Sequence, residues 1–180
     1  MRITVSGLPG SGTTSLSRYL AERHGFTMIS AGEVFRQLAR EHSMELAEFG
    51  RLAEEDPSYD RMIDTRQKEI AEQRDNIIVE GRLSGWMVSG ADLKIWLYAP
   101  VGCRVKRIVF RDQIANEKKA QSITLEREQC EAVRYRSYYS IDISDLSIYH
   151  IILNSEHWGV EGLGAIVDTA LSQIKPQKTV

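Results

Sequence analysis

The sequence predicts an α/β protein, a parallel sheet wrapped by helices. Short apolar runs alternate with longer amphipathic runs along the whole chain, the signature of strands connected through helices. Three of the short runs, 76–80 (NIIVE), 93–98 (LKIWLY) and 149–153 (YHIIL), are mainly β-branched or aromatic, as in strands covered on both faces. No repeat, low-complexity stretch or Pro/Gly/Ser-rich linker divides the 180 residues, which fit one domain.

In chain order, the first strand is 2–6 (RITVS), followed by a helix over 13–24 in which Leu16, Tyr19 and Leu20 form one stripe. A second strand at 26–30 (FTMIS) leads to helical stretches at about 32–42, 45–54 and 58–74. Three helices are more than a crossover to strand 76–80 requires. Strand 93–98 precedes a helix over 101–115, striped by Val101, Val105, Ile108 and Val109. The stretch 112–122 (DQIANEKKAQS) is polar and aperiodic; a helix over 123–139, strand 149–153 and a helix over 159–174 complete the chain. The interval 31–75 and the polar stretch both read as mobile flaps on a rigid core. Ligands of such sheets bind at the carboxyl ends of strands, so chemistry is sought just after residues 6, 30, 80, 98 and 153.

Composition narrows the function. With 23 basic and 25 acidic residues the net charge is −2, so no general positive field exists to hold nucleic acid. Cys103 and Cys130 are isolated, which fits a reduced, cytoplasmic chain without a zinc site. Neither a signal peptide nor a membrane-spanning run is expected.

The strongest local signal is at the exit of the first strand, where Gly7-Leu8-Pro9-Gly10-Ser11-Gly12-Thr13-Thr14 precedes Ser15 and an amphipathic helix. This is the spacing of a phosphate-binding loop, or P-loop. Its glycines let successive N–H groups curl around a phosphate, and the helix N-terminus adds partial positive charge. Thr14 stands at the Ser/Thr place, whose hydroxyl ligates Mg²⁺. The motif's lysine is Thr13 here, so the loop keeps its amides and lacks one fixed cation. A plain glycine turn is the competing reading.

Arginines are the candidate replacements. Arg104, Arg107 and Arg111 share a helix face, and Arg127 and Arg134 lie two turns apart with Glu131 between them. A solvated charged face is the plainer alternative. Because these arginines flank the polar stretch, they are read as a lid that brings guanidinium groups to a transferring phosphoryl. Arg136 points roughly opposite and ranks lower. Glu80-Gly81-Arg82 ends the third strand, placing a carboxylate for a Mg²⁺ water shell or a substrate, and an arginine for a second phosphate. Ser30 is read as the N-cap of the next helix, with Gly32 and then Arg36 on its first turns, the arginine suited to a monophosphate. His24, His42, His150 and His157 have no partners at metal or triad spacing, and Trp86, Trp96 and Trp158 read as core or pocket walls.

On these residues the chain resembles the nucleoside monophosphate kinases, and within them the archaeal type of cytidylate kinase. The similarity runs through the loop at 7–14, SAGEVFR at 30–36, IIVEGRLSGWMV at 77–88 and ADLKIWLYAP at 91–100. It continues in RExxExxR, with Arg127, Glu128, Glu131 and Arg134, and in DLSIY at 145–149. The loop is shared by many enzymes; the EGR segment and RExxExxR are more specific.

The resemblance implies a P-loop NTPase-like three-layer α/β/α fold with a five-stranded parallel sheet. A core of 1–30, 76–111 and 140–180 would carry a helical monophosphate-binding flap at about 31–75 and a short lid at about 112–139. It implies transfer of the γ-phosphoryl of ATP to CMP or dCMP with Mg²⁺, in a cytoplasmic monomer that binds neither nucleic acid nor membrane. ATP would lie on Gly7, Leu8, Pro9, Gly10, Ser11, Gly12, Thr13, Thr14 and Ser15, with Mg²⁺ on Thr14. CMP would lie on Ser30, Gly32, Arg36, Asp64, Arg66, Glu80 and Arg82, and Arg127 and Arg134 would act with Thr14 in catalysis. Arg107 and Arg111 would belong to the lid. Bacterial members carry an acid directly after the arginine of EGR or DGR, where this chain has Leu83. The cytosine-reading groups are therefore sought at Asp60, Asp64 and Arg66. Two other readings stay open: an adenylate kinase or other small-molecule P-loop kinase, and an ATP-binding regulator without catalysis.

Overall fold

Alternation along the strands decides the layering. The computed structural model describes residues 1–44, 49, 52 and 55–174. In β1 (Arg2–Gly7), Ile3 and Val5 join Leu16 and Leu20 of α1 (Thr13–His24) in one fully buried cluster. Successive side chains of a strand point to opposite faces, so β3 (Ile77–Glu80) divides itself between layers. Its Ile78 joins the β1 cluster, while Ile77 and Val79 join Val34 and Leu38 of α2 (Ala31–Glu41) and Ile63 and Ala71 of α3 (Pro57–Gln73). β4 (Leu93–Tyr98) gives Leu93, Ile95 and Leu97 to the first cluster. That face is closed by Leu163 and Val167 of α7 (Val160–Gln173).

With β2 (Thr27–Ser30) and β5 (Ile151–Asn154), the strands form a five-stranded parallel sheet of order β2-β3-β1-β4-β5. This is the predicted three-layer α/β architecture. One register row crosses it from edge to edge: Ser30, Glu80, Val5, Ile95 and Ile151. Two polar residues therefore stand on this row only at its β2–β3 end, beside the carboxyl edge. The central strand β1 lies between β3 and β4, and the loops after these strands converge at that edge.

The short α4 (Ser84–Met87) follows β3, and α5 (Val101–Asp112) packs on α6 (Glu117–Tyr139). Here the sequence reading needs correction. The polar stretch 112–122 is helical from residue 117, started by Asn116, whose side chain accepts from the Lys119 amide at 3.0 Å. Ala120 and Thr124 are buried and most of that first stretch is exposed, so its periodicity was too faint to mark a helix. Trp96 is buried and Trp86 packs edge-on against Tyr149, but Trp158 is 53% exposed and is not core. The helix predicted at 45–54 falls outside the described residues except at Phe49 and Leu52. Both cysteines are free, and no helix among the described residues is long and apolar enough to cross a membrane.

Ile95 is fully buried between its register partners Val5 and Ile151. Ile95→Ala should cost about 2–5 kcal/mol. Thermal unfolding should fall by several degrees without loss of the helical signal, and a shift of a degree or less would contradict this packing.

Candidate active site

The phosphate-type loop owes its path to two left-handed glycines, Gly10 at φ 79° and Gly12 at φ 96°. A Cβ on Gly10 would also lie 2.5 Å from the Arg104 carbonyl oxygen, so the loop runs directly against α5. Gly12 caps α1 without any side chain, no acid occupies the first turn, and Thr14 and Ser15 are exposed there. The first amides of α1 therefore face outward unclaimed by a side-chain cap, which makes an anion site. The Ser11 hydroxyl is buried in the loop with no partner among the described residues.

Thr13, in the lysine's place, is buried and turned away from that opening. Its hydroxyl donates to Glu80 Oε1 at 2.6 Å, and Ser30 donates to Glu80 Oε2 at 2.6 Å. Ser30 does precede α2, but its side chain makes no cap bond; the carboxylate competes for the hydroxyl and wins. Glu80 is likewise not a free carboxylate reaching towards a ligand, since both oxygens have donors from the protein. Gln67 of α3, 1% exposed, donates to the Glu80 carbonyl at 3.0 Å. Gly81 permits the tight meeting: a Cβ there would lie 2.9 Å from that of Ala31.

Three guanidinium groups hold the carbonyl side of the loop. Arg82 donates to Gly7 O at 2.7 Å, Arg104 to Pro9 O at 3.1 Å, and Arg107 to Gly10 O at 3.3 Å and Ser11 O at 3.4 Å. Arg104 is 4% exposed, pairs with Glu128 and also donates to Ala99 O, so it is a strut and not a mobile lid group. Arg107 is tied to Ser155, donating to its hydroxyl at 2.9 Å and its carbonyl at 2.6 Å. Arg111, on the same helix, is exposed and pairs with its neighbour Asp112. The common face of these arginines thus serves different ends along its length.

On α6, Glu131 accepts from Arg82 and Arg127, both at 2.8 Å. Burial pushes its carboxyl up, but the charges of Arg82 and Arg127 outweigh this and hold it below its ordinary value. Arg127 remains 64% exposed. Arg134 reaches across to Asp60 of α3 at 3.0 Å, and Tyr139 donates to Asp64 at 2.7 Å, so two polar bridges join α6 to α3. Arg136 points elsewhere, to Asp142. Asp64 lines a cavity of about 310 Å³ with Arg61, Thr65, Lys68, Met87 and Tyr139. Arg66 lines an adjoining groove with Met62 and Glu69, which shares Arg61 and Thr65 with the Asp64 cavity. Gly32 and Arg36 are exposed on the first turns of α2, and Leu83 is buried.

The sequence reading passes over Gln67, Tyr139 and Ser155, and names Glu128 only within RExxExxR. Ser155 had a signal: it follows β5 directly, at one of the strand exits where ligands gather. The others lie on helices, where a buried amide or phenol looks like any polar surface position.

Against known proteins, residues 2–157 match the model of the cytidylate kinase-like family. The chain is 77% identical to a cytidylate kinase of Methanoregula boonei over 175 residues, covering 97% of this chain and 96% of that one. It is 63% identical to a cytidylate kinase of Methanosphaerula palustris, with 97% and 99% covered. Among solved structures, a shikimate kinase from Bacteroides thetaiotaomicron shares the fold at TM-score 0.65 and 14% identity, over 96% of this chain and 98% of that one.

Burial raises the Asp64 carboxyl to about 6, with Tyr139 opposing and the charge of Asp60 adding. Its unfolded value is about 3.9, so between these limits the folded state binds the extra proton, and the stability contributed falls as pH rises. Relative to the wild type, Asp64→Asn should therefore gain stability between about pH 4 and 6 and level off above. Melting temperatures of both proteins across that range test this; a difference that does not change with pH would refute it.

Proposed function

This chain belongs to the cytidylate kinase-like family and is a nucleoside monophosphate kinase; from that premise we propose that it transfers the γ-phosphoryl of ATP to CMP or dCMP, giving ADP and CDP or dCDP. The observation that carries this reading is the uncapped start of α1 inside a ring of guanidinium groups, on a chain matched to such kinases over almost its whole length. In it, α2 and α3 form the flap over the monophosphate and α6 the lid.

Phosphoryl transfer asks for in-line placement and charge neutralisation. The amides of Gly12 to Ser15 and the Ser11 hydroxyl take the phosphates of ATP; the Ser11 amide stays on Leu8 O. The exposed Thr14 hydroxyl would hold Mg²⁺, which would supply neutralisation of phosphate charge. Arg36 and Arg82 take the phosphate of the acceptor, whose oxygen attacks the γ-phosphorus as the bond to the β,γ-bridging oxygen breaks and leaves with ADP. Arg127, largely exposed, and Arg134 turn to the moving phosphoryl. For Arg134 this is an exchange of anions, since the phosphoryl must displace Asp60. α6, held to α3 by the Tyr139–Asp64 bond, covers the site and excludes the water that would otherwise hydrolyse ATP.

Glu80 acts through Ser30 and Thr13, fixing flap and loop relative to each other. Asp64, at the wall of its cavity, is the group placed to accept from the cytosine amino group, with Asp60 beside it; Arg66 is assigned no contact to the base. A cytoplasmic location, which the free thiols support, and a monomeric state complete the reading.

A coupled ADP-release assay with CMP, dCMP, UMP and AMP tests the substrate. CMP and dCMP should far exceed AMP; equal or better turnover of AMP would refute the assignment. Arg127→Ala and Arg134→Lys should each lower kcat by at least about 100-fold, because a planar guanidinium is required at the transition state. ATP affinity measured alongside should change only modestly. Collapse of ATP binding with kcat intact would make these arginines ground-state clamps.

A further inference from the structure

We propose that Arg107 supplies, from a fixed place behind the phosphate loop, the positive charge that a lysine at position 13 would bring. It is a positioning residue for the triphosphate, acting through the loop's own peptide groups. This rests on the reading of the loop as the ATP phosphate site.

The argument is one of charge balance. Most of the arginines around the loop are matched to a carboxylate: Arg104 to Glu128, Arg111 to Asp112, Arg134 to Asp60, with Arg82 and Arg127 sharing Glu131. Arg107 differs. Its acceptors are Gly10 O, Ser11 O, Ser155 Oγ and Ser155 O, all uncharged, and it has no salt bridge among the described residues. Its Nη1 also lies 3.9 Å from where a Cβ on Gly12 would be, at the residue that caps α1. A positive charge without a carboxylate partner therefore sits directly behind the amide nest.

Its coupling to a ligand runs through the peptide joining Ser11 to Gly12, whose carbonyl accepts from Arg107 and whose N–H is that of Gly12. The Ser11 N–H, on the other peptide that Arg107 bonds, already donates to Leu8 O at 3.1 Å and so holds the loop closed. A cation bonded to a carbonyl polarises that peptide and strengthens its N–H as a donor. The need is real at this loop, because Thr13 is neutral and its hydroxyl is committed to Glu80, a carboxylate whose charge disfavours phosphate. No lid movement is required. Ser155 pins the guanidinium in place, being held itself by its hydroxyl to Ser11 O at 2.6 Å and its amide to Tyr98 O at 2.8 Å.

The test separates charge from bonding. Titration calorimetry with inorganic tripolyphosphate and with ATP is run on the wild type, Arg107→Gln and Arg107→Lys, with circular dichroism as the fold control. Arg107→Gln should weaken both ligands by at least about tenfold. Arg107→Lys loses the fork to Ser155 but keeps the charge, and should lose much less. A second pair leaves Arg107 in place: Ser155→Ala and Ser155→Asp both remove the hydroxyl donor, and only the aspartate neutralises the guanidinium. Ser155→Asp should therefore weaken tripolyphosphate clearly more than Ser155→Ala. Equal losses within the folded pair, or no loss in Arg107→Gln, would overturn the proposal. A wild type that binds neither tripolyphosphate nor ATP would instead overturn the loop reading beneath it.

Discussion

Glu80 stands at the carboxyl end of β3 with Thr13 on one oxygen and Ser30 on the other. Through these two bonds the start of α1, the end of β2 and the strand between them are set at fixed distances. Gln67 adds α3 by way of the Glu80 carbonyl. A buried carboxylate left unpaired would be strongly unfavourable, so its hydroxyl partners are as much a requirement of the fold as of the site. The positions of the loop, of the end of β2 and of α3 are all tied to this junction. Replacing the loop's lysine by threonine is part of it: a short neutral donor satisfies Glu80 where a long cation would span the opening.

The arginines divide by partner. Arg82, Arg104 and Arg107 hold carbonyls of the loop and so keep its amides directed to the other side. Arg127 and Arg134 belong to α6, where they pair with Glu131 and with Asp60 of α3. The same residue type thus braces the loop and ties α6 to its neighbour. The planar fork suits both uses, since it bonds two acceptors at once and loses no charge over the working pH range.

The bridges between α6 and α3 have a further consequence. Asp60 and Asp64 lie one turn apart, both raised by burial, and Asp64 reaches about 6. Arg134 opposes the rise at Asp60 and Tyr139 at Asp64. Each bridge between the two helices therefore offsets the cost of a carboxylate held away from water.

Sequence alone determined the strands, the glycine loop and most helices, because these depend on local properties: β-branched runs, helical stripes, and left-handed φ that glycine permits. It also marked the strand exits as the site, and the motifs from Glu80 to Arg134 as its chemistry. Tertiary structure decided who bonds whom. Thr13 and Glu80, Arg107 and Ser155, and Arg134 and Asp60 are each separated by dozens of residues and meet only when the sheet and helices are assembled. Periodicity records which face of a helix a side chain occupies; it carries no record of what stands opposite. That is why Ser30 reads as a cap and bonds a carboxylate, and why Arg104 reads as a lid group and is a strut.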